Sequence, residues 1–252
     1  MTHQRYTGRV ALVTGAGSGI GQATVLRLAA EDATVVGCDI DAAGLEATGK
    51  LLAADGHQAT LLTADITVQA DVDRVVAALQ GKPADLLANV AGIMDGFLPV
   101  TDLDDAVWEQ VVAVNLTGPM RLCRAVIPAM RAAGSGAVVN VSSVGGLTGS
   151  VAGTAYTSAK HGLIGLTRSL AYLYGPDGIR ANAVCPGGVR TNIGRTAVPR
   201  SQWAYDRLER SFARATRMAE PDEIAALIAW LGSAEASNVN GAVITADGGW
   251  MS

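Results

Sequence analysis

The side chains best suited to chemistry in this sequence are a tyrosine and a lysine four residues apart, Tyr156 and Lys160. On a helix this spacing places both side chains on one face, about one turn apart. A phenol has a pKa of about 10, so it is ordinarily a poor base at neutral pH. A nearby ammonium stabilises the phenolate. The pair therefore predicts a tyrosine with a lowered pKa that exchanges a proton with a substrate.

A glycine-rich turn follows the first predicted strand. Residues 14–21 have the pattern T-G-x-x-x-G-I-G, between the strand Arg9–Thr14 and the predicted helix Gly21–Glu31. Glycines at such a turn let backbone N–H groups approach a pyrophosphate, and the start of the helix adds its positive end. The turn therefore predicts a dinucleotide site, with contacts from Gly15, Ser18, Gly19, Ile20 and Gly21.

An aspartate ends the second predicted strand, Thr34–Asp39. A carboxylate at this distance from the glycines accepts hydrogen bonds from ribose hydroxyls, and its charge would repel a 2′-phosphate. Neither Ser18 nor Ile40 is a cation that could bind such a phosphate. Asp39 therefore predicts NAD rather than NADP. The alternative is that Asp39 is a turn residue or the cap of the next helix, a role that Asp41 could also fill.

The elements that position these residues alternate along the chain. Further strands are predicted over Gln58–Ala64, Ala84–Asn89, Ala137–Ser142, Ile179–Cys185 and Ala242–Ala246, and helices over Ala42–Ala54, Val68–Leu79 and Tyr156–Tyr174. Several strands are apolar throughout, which is typical of strands buried on both faces. The pattern predicts an α/β fold: one domain over residues 1–252, with a Rossmann-type doubly wound parallel sheet of about seven strands and helices on both faces.

Composition excludes several classes of protein. Hydrophobic residues make up 49% of the chain, charged residues 17%, and the net charge is −4, which does not suit nucleic acid as a partner. No apolar segment is long enough to span a membrane, and we expect a cytoplasmic protein. The cysteines and histidines are scattered, so no disulfide or metal site is predicted; they are Cys38, Cys123, Cys185, His3, His57 and His161.

Taken together and in order, these motifs resemble the short-chain dehydrogenase/reductase family. The resemblance covers essentially the whole chain. It is carried by residues 14–21, Asn89-Val90-Ala91-Gly92, Asn115, Ser143, Tyr156, Lys160, residues 186–191 and Asp247-Gly248-Gly249. Two departures are minor: Val90 replaces a second asparagine, and a double glycine, Gly187-Gly188, follows Pro186.

The resemblance implies a role for each catalytic residue. Tyr156 would exchange a proton with the substrate oxygen, which Ser143 would hold by a hydrogen bond, while Ser142 would be structural. Lys160 would bind the nicotinamide ribose and lower the pKa of Tyr156. Asn115, in a helix over Asp104–Arg131 that is disturbed near Gly118-Pro119, would hold a water linking Lys160 to solvent.

The resemblance also implies further cofactor contacts and an assembly. Asp65 and Ile66 would contact the adenine, and Thr191 with the backbone of Val189 would hold the carboxamide. Other cofactor-lining residues would be Asn89, Ala91, Gly92, Pro186 and Gly187, beside Tyr156 and Lys160 themselves. A homotetramer is expected, packed through the long helices Asp104–Arg131 and Tyr156–Tyr174.

The function predicted is an NAD-dependent oxidoreductase that transfers a hydride between nicotinamide and a secondary alcohol or ketone. Candidate pocket residues suggest a medium-sized, largely apolar small-molecule substrate, and no aromatic cage is proposed; they are Met94, Phe97, Val144, Val151, Thr154, Gly188, Ile193 and Trp203. A cofactor-sensing protein without catalysis is disfavoured, because such proteins typically lack the Tyr and Lys.

The main alternative is a 3-oxoacyl-thioester reductase acting on an acyl carrier protein. Residues 190–218 are predicted to form a substrate lid rich in arginine, namely Arg190, Arg195, Arg200, Arg207, Arg210, Arg214 and Arg217. A basic lid would attract an anionic substrate or an acidic carrier. The simpler interpretation, which we favour, is a solvated helix face, because the last four of these arginines lie at helical spacing.

Overall fold

The predicted strands pair into one parallel sheet in the computed structural model, which describes residues 4–195 and 197–252. His3, residue 196 of the predicted lid and the side chain of Arg195 lie outside the described part. The strands are β1 (Val10–Thr14), β2 (Thr34–Asp39), β3 (Thr60–Thr63), β4 (Leu86–Asn89), β5 (Gly136–Val141), β6 (Ile179–Pro186) and β7 (Val243–Ala246). Their order, β3-β2-β1-β4-β5-β6-β7, reverses direction between β1 and β4.

Helices cover both faces of this sheet, which confirms the predicted fold class. The helices are α1 (Gly19–Ala30), α2 (Ala42–Ala54), α3 (Gln69–Ala77), α4 (Asp105–Val112), α5 (Gly118–Ala133), α6 (Thr154–Tyr174), α7 (Gln202–Phe212) and α8 (Pro221–Gly232). One apolar core joins the sheet to α1, α2 and α8, and a second joins it to α3, α5 and α6.

Strand β1 shows why its sequence is apolar throughout. Successive strand side chains point to opposite faces. Ala11 and Val13 accordingly pack into the core with α1 and α8, whereas Val10 and Leu12 pack into the core with α3 and α5. A polar residue at any of these positions would be buried against a helix.

The predicted helix Asp104–Arg131 is wrong as a single element. A π-helical turn, Ala113–Thr117, separates α4 from α5, and the N–H of Gly118 donates to the carbonyl of Ala113. Pro119 has no N–H to donate to the carbonyl of Asn115 four residues earlier, and its ring would crowd that carbonyl. The irregularity expected near Gly118-Pro119 is therefore displaced toward the N-terminus, onto the turn that carries Asn115.

The sequence predicts neither a membrane-spanning helix nor a metal site. Within the described ranges, no helix has the length and apolar character needed to cross a membrane. The same ranges contain no group of three or more His, Cys, Asp or Glu side chains placed to hold a metal ion. Cys38, Cys123 and Cys185 are buried and free.

A buried ion pair ties the start of the chain to α1. The Nε and Nη2 atoms of Arg5 each donate to the Glu31 carboxylate at 2.6 Å, and Arg27 contacts the same group. Burial raises the pKa of Glu31, but the hydrogen bonds from Arg5 and Arg27 outweigh it and hold the pKa below its ordinary value of 4.5. The ionised carboxylate therefore stabilises the folded chain at neutral pH.

We expect Arg5→Ala to lower the free energy of unfolding by about 2–3 kcal/mol at neutral pH, because Glu31 would keep only Arg27 as a partner. A lowered pKa stabilises the fold above the unfolded value and loses that contribution as pH falls. The deficit should therefore shrink between about pH 7 and about pH 4. Urea unfolding at the two pH values measures it. The exposed pair of Lys50 with Glu46 gives the control. If Lys50→Ala were as harmful as Arg5→Ala, the assignment would be wrong.

Candidate active site

A cavity of about 590 Å³ opens at the carboxyl ends of the strands, where the strand order reverses between β1 and β4. This edge is the ligand-binding position of doubly wound sheets. The cavity brings together eleven of the predicted cofactor residues: Gly15, Ser18, Gly19, Ile20, Gly21, Asp39, Asp65, Ile66, Ala91, Gly92 and Thr191.

The glycine-rich turn is closed by backbone contacts that leave no room for side chains. A Cβ on Gly21 would lie 2.0 Å from the carbonyl oxygen of Gly15, and a Cβ on Gly15 would lie 3.1 Å from the Ala91 backbone. Gly15 also has a φ of 72°, in the left-handed region that favours glycine. The turn is therefore shaped so that backbone, rather than side chains, faces the cavity.

Asp39 is held at the cavity wall by two backbone N–H groups. Its carboxylate accepts from Gly17 at 2.9 Å and from Asp41 at 2.9 Å. Asp41 is the residue that caps α2, by accepting from Ala43 at 3.1 Å. The helix-cap alternative is thus filled by Asp41, whereas the hydrogen bond from the Asp41 N–H to Asp39 is the local contact expected of a turn residue, which was the other alternative.

The charge of this end of the cavity is negative. Asp39, Asp41 and Asp65 line it, and no lysine or arginine does among the lining residues that the structure describes. Asp65 is fixed by accepting from the N–H of Thr67 at 2.8 Å and from its hydroxyl at 2.7 Å. An additional anionic group at this end would meet repulsion without a compensating cation.

Sequence reasoning missed several lining residues, namely Cys38, Ala64, Thr67, Gln110, Ala113 and Val114. Cys38 and Ala64 could have been found, since each directly precedes a predicted site residue at a strand end. Gln110, Ala113 and Val114 reach the cavity through the end of α4 and the π-helical turn. No local sequence signal predicted that turn.

Tyr156 and Lys160 share one face of α6, as their spacing predicted. Lys160 Nζ lies 5.5 Å from the centre of the Tyr156 ring and donates to the carbonyl of Val141 at 2.9 Å. The Ser143 side chain lies near enough to the Tyr156 phenol to lower its pKa, and a Cβ on Gly145 would lie 3.3 Å from the Tyr156 ring and 3.5 Å from Ser143 Oγ. Ser143 is oriented in turn by the N–H of Gly145, which donates to its Oγ at 3.0 Å.

Asn115 also converges on this group. Its Oδ1 accepts from the N–H of Ile93 at 3.0 Å, and its Nδ2 donates to the carbonyl of Ile93 at 2.8 Å. A Cβ on Gly92 would lie 2.9 Å from Asn115 Oδ1 and 3.3 Å from Lys160 Nζ. Gly92 is therefore the point where these two side chains meet the cavity.

The expected direction of the Tyr156 pKa shift is wrong for the protein's own side chains. Burial raises the pKa of Tyr156 to about 12, although the Ser143 hydrogen bond lowers it, and the Asp95 charge raises it further. Burial likewise lowers the pKa of Lys160 to about 8. The physical reason is shared: both groups are at most 6% exposed, and burial penalises a charge on either.

The remaining predicted cofactor residues lie beside the cavity or beneath it. Asn89 is buried and donates to Asn140 Oδ1 at 2.8 Å. Gly187 packs against Asp247 and Trp250, since a Cβ there would lie 2.9 Å from the Asp247 side chain. Val189 pairs with Ala219 in an isolated parallel bridge. Tyr156, Lys160 and Pro186 are also outside the cavity lining.

An aromatic cluster that the sequence did not reveal packs between α7, the loop before α4 and the C-terminal segment. Phe97, Tyr205 and Phe212 have ring centres 5.4–5.9 Å apart, and Trp250 lies 6.2 Å from Phe212. These rings come from separated parts of the chain, so no spacing connects them. Val144 and Val151 are buried with Trp250 in the same region.

Trp203 is a wrong pocket prediction. Its side chain is 58% exposed, and the Arg207 guanidinium stacks over its ring at 3.9 Å. The predicted lid contains a short 3₁₀ turn, Asn192–Arg195, followed by α7. Helix α7 is anchored at its start, where Ser201 Oγ donates to Asp102 at 2.9 Å.

Several of the lid arginines pair with acidic residues. Arg190 contacts Glu220 at 2.8 Å, and Arg217 contacts Glu223. Arg200 lies 3.8 Å from Asp104. The remaining three described arginines of this segment are exposed; they are Arg207, Arg210 and Arg214. Helix α7 ends at Phe212, so the prediction that the last four arginines share one helix face is wrong for Arg214 and Arg217.

Comparison with known proteins agrees with this geometry. The family model for short chain dehydrogenases matches residues 9–202. A 3beta-hydroxysteroid dehydrogenase of Eggerthella lenta is 37% identical over 246 residues, which cover 96% of this chain and 95% of that one. The crystal structure of levodione reductase has a TM-score of 0.88 at 38% identity, covering 97% of this chain and 98% of that one. A 3-oxoacyl-[acyl-carrier protein] reductase from Brucella melitensis with bound NAD has a TM-score of 0.84 at 33% identity, covering 98% and 93%.

Proposed function

The chain belongs to the short-chain dehydrogenase/reductase family, and we propose that it oxidises secondary alcohols, or reduces the corresponding ketones, with NAD. The observation that carries this proposal is the group formed by Tyr156, Ser143 and Lys160 at the edge of the dinucleotide-sized cavity. In the oxidative direction Tyr156 accepts the hydroxyl proton of the alcohol. Ser143, which already contacts the phenol, donates a hydrogen bond to the substrate oxygen and holds it in place.

The residues present fit a dinucleotide. The cradle of Gly15 and Gly21 admits no side chain, and the cavity volume lies within the usual range for cofactor sites. Gly19 and Thr191, which lie against each other at the cavity wall, would hold the cofactor together. When bound, the nicotinamide exchanges the hydride, and in its oxidised form it brings a positive charge.

The positive charge of the oxidised nicotinamide affects the ionisation of the Tyr156 phenol. Because burial, with the Asp95 charge added, raises the pKa of Tyr156 to about 12, the phenol is protonated at neutral pH. A positive charge near the phenol lowers its pKa, and so does a protonated Lys160. The phenol would therefore lose its proton to solvent most easily when oxidised cofactor is bound, and the resulting phenolate would then accept the hydroxyl proton of the alcohol.

The choice of NAD rests on this chain's own residues, because solved relatives hold either NAD or NADP. Asp39 is fixed by two N–H groups with its carboxylate at the cavity wall. The described lining offers carboxylates and no cation at that end. A ribose hydroxyl can donate to Asp39, whereas a 2′-phosphate would be repelled.

The substrate is proposed to be an alicyclic ketone or its alcohol. The aromatic cluster of Phe97, Tyr205, Phe212 and Trp250, called the aromatic wall below, is apolar and brings little polar recognition to the region beside α7. Two similar proteins are named for ring substrates, the hydroxysteroid dehydrogenase and levodione reductase. The second candidate, a 3-oxoacyl-thioester reductase, is favoured only by the Brucella melitensis relative and the exposed arginines of α7.

Substituting Tyr156→Phe should reduce turnover by about 10²–10⁴-fold, because it removes the proton carrier. NAD binding should change little, since the ring is kept. The experiment is a panel of secondary alcohols followed as NADH formation, in which the wild type should prefer cyclic members over open-chain ones. Isothermal titration with NAD provides the control. A Phe variant with wild-type rates would rule out the proposed role.

Substituting Asp39→Ala should weaken NAD binding by about ten- to a hundred-fold, the usual value of a hydrogen bond to a charged group. It should also narrow the gap between NAD and NADP, because the repelling charge is gone. A matched variant is Gly17→Ala, whose Cβ would lie 3.0 Å from the Asp39 carboxylate and displace it. Dissociation constants for both cofactors measure the effect. Unchanged preference in both variants would contradict the assignment.

We further propose a cytoplasmic homotetramer. Large apolar side chains remain exposed on the helices predicted to meet partners: Trp108 on α4, and Tyr172 and Leu173 on α6, of which Tyr172 is 84% exposed. Burying them would stabilise an assembly by the hydrophobic effect. Light scattering at micromolar concentration should give four times the 25.7 kDa chain mass. A monomer would refute the proposal.

A further inference from the structure

A buried aspartate that the proposed chemistry does not use lies under the start of α6. Asp95 is 2% exposed and belongs to the loop between β4 and α4. One carboxylate oxygen accepts from the backbone N–H of Tyr156 at 2.9 Å, and the other accepts from the backbone N–H of Phe97 at 3.1 Å. The same carboxylate thus contacts the backbone of the proposed proton carrier and the backbone of a residue in the aromatic wall.

Helix α6 takes a capping acceptor from a distant part of the chain. Helix caps are usually supplied by Ser, Thr, Asp or Asn at the N-cap position. Here the N-cap is Gly153, which has no capping side chain, and Asp95 lies 61 residues away from Tyr156 in sequence. A Cβ on Gly153 would lie 2.4 Å and 2.5 Å from the Asp95 carboxylate oxygens. The glycine therefore leaves room for a carboxylate that comes from another element.

The loop around Asp95 is in a costly conformation. Phe97 has a φ of 59°, directly after Gly96 with a φ of 67°. A bulky residue in the left-handed region is uncommon and persists only where its surroundings hold it. The hydrogen bond from the Phe97 N–H to Asp95 is one such constraint. A second is the contact of the Phe97 ring with Tyr205 and Phe212 on α7.

The same loop is hydrogen-bonded to the start of the catalytic helix α6 and to the residues just before the lid helix α7. The N–H of Thr154, the first residue of α6, donates to the carbonyl of Leu98 at 2.9 Å. The N–H of Arg200, just before α7, donates to the carbonyl of Gly96 at 2.9 Å. The chain from 95 to 98 therefore lies between the lid helix and the catalytic helix and is hydrogen-bonded to the start of each.

We infer that Asp95 is a positioning residue, which fixes the place of Tyr156 and links it to the order of the aromatic wall through Phe97. The inference rests on the proposed function of Tyr156. When α7 or a bound ring orders the aromatic wall, the Phe97 ring is fixed in place. The Phe97 N–H then fixes the Asp95 carboxylate by its hydrogen bond, and Asp95 fixes the first turn of α6 through the N–H of Tyr156. Asp95 also places a negative charge beside the phenol, in addition to the ionisable Lys160 and Cys185 that face it.

Asp95→Asn tests this role, because the amide keeps the size of the side chain but can accept only one of the two hydrogen bonds and carries no charge. We expect kcat for alcohol oxidation to fall about 10–100-fold, as the phenol loses its place. We expect the acidic limb of the kcat/KM profile to move to lower pH by about half a unit, because a charge that opposes the phenolate is gone. The dissociation constant for NAD should stay within about twofold of the wild type.

Gly153→Ala is the matched variant. Its Cβ would push the carboxylate aside but keep its charge, so kcat should fall while the acidic limb stays in place. Asp105→Asn, which makes the same charge change at an exposed position in the first turn of α4, should leave both quantities unchanged. If Asp95→Asn does not fold, Gly153→Ala decides alone: wild-type kcat in that variant overturns the inference.

Two other results would also overturn it. Asp95→Asn with wild-type kcat and an unmoved pH profile would show that the contact is dispensable. Loss of kcat together with loss of thermal stability and NAD affinity, at an unmoved acidic limb, would show an ordinary helix cap. If the wild type itself has no NAD-linked turnover, the proposed function fails instead. Amide hydrogen exchange then decides: faster exchange at Tyr156 and Phe97 in both variants supports the linkage, and unchanged exchange refutes it.

Discussion

The burial of two ionisable side chains on one face of α6 is the constraint on which the rest of this site depends. Tyr156 and Lys160 are buried, and burial disfavours a charge on either side chain. The pKa of Tyr156 is therefore raised and the pKa of Lys160 is lowered. The hydrogen bond from Lys160 to the carbonyl of Val141 and the nearby Ser143 side chain fix the geometry without removing that penalty. Without a bound cofactor the Tyr156 phenol is therefore protonated, and the positive charge that would lower its pKa comes with the oxidised cofactor.

The rest of the fold serves to bring strand ends to this place. Parallel pairing puts the ends of β1, β2, β4 and β5 at a single edge, and reversal of the strand order between β1 and β4 leaves the opening there. Glycines allow the backbone to close around that opening, most strictly at Gly21. A sheet with the same strands and a side chain at Gly21 would have to shift the first turn of α1 away from β1.

The sequence predicted those parts of the molecule that are set by local patterns. Apolar strand runs gave the sheet and its class, and the spacing of Tyr156 and Lys160 gave their shared face. It failed where contacts join distant segments. The four rings of the aromatic wall come from a loop, from α7 and from residue 250. Nothing in the local sequence distinguishes Asp95 from other loop aspartates, because its partner, the N–H of Tyr156, is distant in sequence. It also misjudged Trp203, because helical spacing does not say which face of α7 meets the protein.

The π-helical turn at Ala113–Thr117 has a consequence for how this chain could vary in length. Such a turn holds one residue more than the α-helical turn it replaces. Deleting a single residue there would allow α4 and α5 to merge into one α-helix with the later side chains of α5 still on their present faces, because the wider turn completes about the same rotation with one residue more. Leu122 and Val126 would stay in the core, whereas Asn115, which the widened turn holds against Ile93, would lose that contact. The extra residue is thus a local adjustment at the Asn115 contact, and a change in residue number at this turn should harm the site more than the packing of α5.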